Sequence, residues 1–233
     1  MLAFIAAESR EFTGLLKNAE LVSKLDWHVR FARMAVLRGN TILLAANGPG
    51  PKLAAQAVDV VHERAQVDGL VSIGFCGALA PALAPCDIFV ATEVLGAGAV
   101  SRPADSMRPF KTGKLLSIDR VASTAAEKSE LRKTGADAVE MEAGAVAERA
   151  EHWNLPFYVI RVVTDAADES LPLDFNRLAK ADKNLDYGKL AWAIAKAPGK
   201  IGALLELQKK TRFAAERLAA VLDRVIPNNN GVS

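Results

Sequence analysis

Short apolar runs alternate along the chain with longer stretches in which apolar positions recur every three or four residues. That alternation predicts an α/β domain with a largely buried sheet. Leu2 to Ala7, Thr41 to Ala46, Gly69 to Ile73, Ile88 to Val94 and Phe157 to Val163 read as strands, rich in Val, Ile and Leu. Helical spacing covers Glu8 to Asn18, Lys52 to Ala65, Glu142 to Trp153 and Leu185 to Ala197. Ile201 to Val225 reads as one amphipathic helix whose apolar stripe is Leu204, Leu207, Ala214, Leu218, Val221 and Val225. Residues 226–233, closing on NNNGVS, are expected to fray. Gly96 to Thr112 collects Gly, Pro, Ser and charges without a period and reads as a long loop, either a lid or a mobile connection.

Composition narrows the picture. The chain has 233 residues, 51% of them apolar, which suits one well-cored domain over residues 1–233. Lysine and arginine number 29 against 27 acids, so the formal charge of +2 gives no electrostatic reason to expect nucleic acid as a partner. Cys76 and Cys86 make neither a disulfide framework nor a metal cluster and fit a reducing cytoplasm. His28, His62 and His152 share no ligand spacing, and no dinucleotide fingerprint is present, so neither a metal nor a cofactor is expected. The N-terminal apolar run is broken by Glu8 too soon for a signal peptide, and no segment approaches roughly 18 uninterrupted apolar residues.

Three stretches place chemistry against this apolar background. IGFCGALAP, Ile73 to Pro81, follows a buried strand, and Gly74 and Gly77 allow either a tight turn or close approach of a ligand. AVEMEAGAVAERA, Ala138 to Ala150, sets Glu140 and Glu142 where a strand ending near Met141 meets a helix starting at about Glu142. A glutamate is rarely buried without a partner, so these acids need one from elsewhere in the chain or from a ligand. A vicinal diol would satisfy a carboxylate, whereas a helix N-terminal charge would account for Glu142 alone. IRVVTDAADESLP, Ile160 to Pro172, puts Asp165 at a strand's carboxyl end. There it is either a half-desolvated acid with a raised pKa, able to donate a proton, or a turn or N-cap aspartate.

GFCGALAP, VEMEAGAVA and VIRVVTDAAD, in that order, resemble the nucleoside phosphorylase and nucleosidase superfamily, from about residue 2 to about residue 175. SLPLDF and KAPGKIGALLELQKKTRFAAERL are similar to its hopanoid-associated branch. The resemblance implies a mixed central sheet flanked by helices, and cleavage of the N-glycosidic bond of an adenine nucleoside, with adenosylhopane as the narrower expectation. It assigns Glu142 to the ribose hydroxyls, Met141 to the ribose face, Glu140 to support of the same pocket, and Asp165 to protonation of the purine. Glu11, with Glu8 as its rival, is the implied activator of water. Phe75, Cys76 and Gly77 line the pocket, and Val121 and Ala122 fall where the base is contacted. Ser72 stands where phosphate-using relatives carry an arginine, which favours water over phosphate as nucleophile, although Arg10, Arg102 and Arg108 could bring cations to the site. Phosphorolysis, a methylthioadenosine/S-adenosylhomocysteine nucleosidase and a nucleoside-binding protein without catalysis are the alternatives. A homo-oligomer follows from the resemblance. Between Lys189 and Arg224 eight basic residues face three acidic ones, so the C-terminal helix either docks on its own domain or rests on an anionic membrane.

Overall fold

A computed structural model of the chain describes residues 1–96, 99–101, 110–178 and 187–225. In chain order these form β1 (Leu2–Ala6), a 3-10 turn (Ser9–Phe12), α1 (Thr13–Asn18), β2 (Leu21–Lys24), β3 (Phe31–Leu37) and β4 (Asn40–Ala46). Next come α2 (Pro51–Arg64), β5 (Gly69–Ala78), β6 (Ile88–Gly96), β7 (Ala99–Ser101), β8 (Lys111–Ser117), α3 (Ala125–Arg132), β9 (Ala138–Glu140) and α4 (Ala143–His152). The chain closes on β10 (Phe157–Asp165), α5 (Phe175–Leu178), α6 (Tyr187–Lys196), a 3-10 turn (Pro198–Lys200) and α7 (Ile201–Val225).

The sheet runs β2-β3-β4-β1-β5-β9-β8-β6-β10, and β10 returns to pair with β5, so its second half closes into a ring. It is mixed: β5 is parallel to β1 and β10, whereas β9 and β3 run antiparallel to β5 and β4. Helices cover both faces. Ala3 and Ile5 of β1 join the cluster that holds Ala54, Val58 and Val61 of α2 and Val146 and Ala150 of α4. The intervening Phe4 and Ala6 join Leu15 of α1 and Ala214, Leu218 and Val221 of α7 on the opposite face. Alternate side chains of one strand therefore enter two different cores, which is why its sequence shows no polar alternation. Each fully buried Leu, Ile, Val or Phe contributes about 1.5–3 kcal/mol relative to exposure.

Every strand read from the apolar runs is present, and β2, β3, β7, β8 and β9 lie between them, of which only β9 was read, at the end of VEME. β2 is exposed along its length, β3 carries Arg33 at its centre, and β8 begins with the polar KTGK, so none presents a clean apolar run. The helix α3 was likewise not foreseen. The expected loop at 96–112 contains β7 and the start of β8, while residues 97–98 and 102–109, with Arg102 and Arg108, lie outside the described residues. Gly74 and Gly77 are not in a turn: β5 continues through both to Ala78. Along α7 the stripe divides, with Ala214, Leu218 and Val221 buried and Leu204 and Leu207 half-buried; the side chain of Val225, and the frayed tail expected at 226–233, lie outside the described residues.

Candidate active site

Residues at and beyond the carboxyl ends of β1, β5 and β10, together with β9 and the segment after β8, line a cavity of about 1340 Å³. Glu11, Phe75, Cys76, Gly77, Val121, Ala122, Glu140, Met141, Glu142 and Asp165 all contribute to its wall, so the residues singled out in the sequence converge on one place. Leu190 and Ile194 of α6 and Leu204, Leu207 and Ala215 of α7 extend that wall with apolar surface.

Glu11 is held in the 3-10 turn after β1, where its Oε2 accepts a hydrogen bond from the Glu8 backbone N–H at 2.7 Å. It packs against Gly74, whose φ is +146° and where a Cβ would stand 2.6 Å from Oε1, so the glycine makes room for the acid rather than for a turn. Burial, partly offset by the Glu8 N–H and the charge of Arg161, pushes the Glu11 carboxyl from 4.5 up to about 7. Glu8 itself is much more exposed and is paired with Arg10 at 2.6 Å.

The two glutamates of VEME have different partners. Glu140 accepts from the guanidinium of Arg161 at 2.6 Å and from the backbone N–H groups of Glu142 and Ala143 at 2.9 Å. Its partner is therefore within the chain, one of the two sources the sequence left open. Arg161 also donates to Ser72 Oγ at 2.8 Å, while its Nε is buried without a partner. Ser72, fully buried, is thus a ligand of Arg161 and does not line the cavity. Glu142 is the N-cap residue of α4, yet its side chain makes no cap; it accepts from the Gly50 N–H at 2.7 Å. Gly50 takes φ +98° immediately before Pro51 opens α2, which aims that N–H across to the site. Burial, and after it the negative charge of Glu140, push the Glu142 carboxyl upward.

Asp165 is the last residue of β10, neither a helix cap nor a free acid. Its Oδ1 accepts from Thr164 Oγ1 at 2.6 Å, and its Oδ2 is ion-paired with the ammonium of Lys128, a fully buried lysine of α3. A Cβ at Gly77 would lie 2.9 Å from Oδ2, so this glycine too makes room for a carboxylate. Lys128 escaped the sequence reading because AAEKSELR has no apolar stripe and its lysine looks solvated. Asn176 was missed as well: its amide accepts from the Val121 N–H at 2.9 Å and donates to the Val121 carbonyl at 2.8 Å. Cys76 is buried, and burial raises its thiol pKa, so it is not poised as a nucleophile. Arg10 lies on the cavity wall with its guanidinium 5.8 Å from the centre of the Phe75 ring. Among the described residues no group of His, Cys, Asp and Glu is arranged to hold a metal ion, and no helix is long and apolar enough to cross a membrane.

The sequence model of the phosphorylase superfamily matches residues 2–109 and 104–227. A 5'-methylthioadenosine/S-adenosylhomocysteine nucleosidase of Staphylococcus aureus is 24% identical over 207 residues, which covers 75% of this chain and 90% of that protein. Among solved structures, S-adenosylhomocysteine nucleosidase of Streptococcus pyogenes in complex with 5-methylthiotubericidin is similar with a TM-score of 0.75 at 18% identity, over 99% of this chain and 97% of that one. A futalosine hydrolase mutant of Helicobacter pylori gives 0.74 at 16% identity, over 96% and 97%. Those two structures share the fold of this chain.

Proposed function

The chain belongs to the phosphorylase superfamily and is a glycosidic-bond-cleaving enzyme, and from that premise we propose that it hydrolyses the bond between adenine and the ribose of a nucleoside bearing a large apolar group, adenosylhopane. One observation carries the reading: the same cavity of about 1340 Å³ gathers Glu11, Glu140, Glu142 and Asp165 from the sheet side and apolar side chains from α6 and α7. Pockets for drug-sized ligands run to roughly 300–1,000 Å³, so a nucleoside with a small substituent leaves much of this apolar wall uncovered.

In this reading Glu11, titrating near neutrality, takes a proton from water as the water oxygen bonds to the anomeric carbon. The carbon–nitrogen bond breaks with its electron pair passing to adenine, which is protonated on its imidazole ring through Asp165. Glu142 holds the ribose hydroxyls and places negative charge near the oxocarbenium-like centre. Met141 packs on the ribose face, Phe75, Cys76 and Gly77 wall the sugar, and Val121 and Ala122 flank the base. Water is favoured over phosphate because Ser72 is buried against Arg161 and offers no cation to the cavity. The names of the relatives favour a second reading, hydrolysis of methylthioadenosine or S-adenosylhomocysteine.

Release of free adenine from adenosylhopane and from methylthioadenosine, each with and without phosphate, tests both, with Asp165→Asn as control. Phosphate-independent release from adenosylhopane in preference to methylthioadenosine is the expected result. The reverse preference would replace the lipid substrate with the small one, and strict phosphate dependence would overturn hydrolysis.

A lipid-linked substrate also requires access to a membrane. Trp192, Ile201, Leu205 and Phe213 are exposed on α6 and α7, beside Lys196, Lys200, Lys209 and Arg212. We propose that this face rests on an anionic membrane surface, with the enzyme otherwise a cytoplasmic homo-oligomer. Flotation with anionic liposomes checks the first point: wild type should float, a variant with those four cations reversed should not, and wild type left in solution would remove the idea. Light scattering that returns only the mass of one chain would remove the second.

A further inference from the structure

We propose that Lys128 is a positioning residue for Asp165: it holds the carboxyl group in one orientation before substrate arrives. This rests on the assignment of Asp165 as the group that protonates the leaving base.

Lys128 is fully buried, and its ammonium donates to three acceptors, Asp165 Oδ2, the Ala166 carbonyl at 2.7 Å and the Glu169 carbonyl at 2.8 Å. An ammonium has three protons, so its capacity is filled, and all three acceptors belong to the five residues that begin at Asp165. Burying a lysine is unfavourable unless it is paired and fully hydrogen-bonded. Here one donor is spent on the acid that faces the cavity.

The other oxygen of Asp165 is fixed by Thr164 Oγ1 at 2.6 Å, so the plane of the carboxylate is set from two sides. The remaining ionisable groups near Asp165 do not take over this function. Cys76 of β5 is buried and neutral, Glu169 of the following loop is an acid, and Lys210 of α7 is bound to Glu169 at 2.9 Å. Lys128 is thus the cation in direct contact with Asp165 among the described residues. Its loss would leave a buried carboxyl held on one oxygen only, by Thr164.

A double-mutant cycle on Lys128→Met and Asp165→Asn, read as adenine release, tests the proposal. Methionine keeps the stem volume and removes the charge. Lys128→Met is expected to lower kcat by about 10- to 100-fold, the scale of a misplaced reacting group, with KM changed by less than about threefold. In the Asp165→Asn background the same substitution should cost almost nothing further. Lys128→Arg, which keeps a cation, should restore part of the rate.

An equal, multiplicative loss in the Asp165→Asn background, or a loss that falls on KM and not on kcat, would overturn the proposal and leave Lys128 as a staple of the 166–169 turn. If Lys128→Met alone fails to fold, the doubly neutral variant and Lys128→Arg still decide the matter: the double variant matching Asp165→Asn supports the coupling, and one far below it refutes it. Wild-type activity in Asp165→Asn is a separate outcome, which removes the acid assignment itself.

Discussion

Replacing Glu11 with glutamine gives the sharpest test of the site's electrostatics, because it should change stability and rate over the same pH window. The folded chain holds the Glu11 proton up to about pH 7, whereas the unfolded chain releases it near 4.5. Between those values the folded state binds more protons, so stability contributed by this group is complete below 4.5 and declines as pH rises to 7. At about 1.4 kcal/mol per pH unit the loss reaches about 3 kcal/mol. Glutamine has no proton to release but can still accept from the Glu8 N–H, so the variant escapes the decline. Glu142 is common to both proteins and drops out of the difference to first order. Urea unfolding of wild type and Glu11→Gln at pH 4.5, 6 and 8 should therefore show the variant gaining on wild type by about 3 kcal/mol across the series. For a chain of this size that corresponds to roughly 6–12 °C in Tm. Adenine release should move the opposite way: wild-type kcat/KM should rise through a limb near pH 7, and the variant should lose about 10²- to 10⁴-fold, the usual range for a general base. A stability difference that stays flat from pH 4.5 to 8 would falsify the assignment of a near-neutral carboxyl to Glu11.

Other outcomes follow from the same geometry. Asp165→Asn should cut turnover while leaving nucleoside affinity within a few fold, measured by calorimetry against steady-state kinetics; unchanged turnover would remove its role. Glu142→Gln should raise KM and lower kcat together, and should narrow the preference for ribose over 2'-deoxyribose substrates; an unchanged preference would detach Glu142 from the diol. Leu218→Ala, in the buried part of α7, should cost about 2–5 kcal/mol in denaturant unfolding, whereas Leu205→Ala on the exposed part should stay within about 0.5 kcal/mol. Equal costs would mean that α7 does not dock as described.

What could be read from the sequence divides along physical lines. β1, β4, β5 and β10 were legible because both of their faces are buried, which leaves continuous apolar runs. β2 and β3 were not, because an exposed ribbon and a central Arg33 erase that signal. At the site, Glu140, Glu142 and Asp165 stood out as acids in apolar surroundings, whereas Glu11 came from the family resemblance alone. Their partners did not, since Gly50 lies 92 residues from Glu142 and Lys128 lies 37 residues from Asp165. A carboxylate in an apolar run announces that it needs a counterpart, and only the tertiary structure says which one. For Glu140 the counterpart was Arg161, already present in the chain.

The two hydrogen bonds between Asn176 and Val121 bear on the energetics of recognition. A carboxamide offers one donor and one acceptor side by side, the same pair that an aminopurine edge presents. With Asn176 seated, the peptide edge of Val121 carries no unmet polarity in the free protein. A base that takes that edge exchanges one pair of hydrogen bonds for another, and the net gain at that point is small. For the substrate proposed above, affinity would then come from stacking, sugar contacts and the apolar wall, and its tail would outweigh its head in setting how long it stays. Free adenine, stripped of sugar and tail, would be evicted by a side chain already tethered within reach.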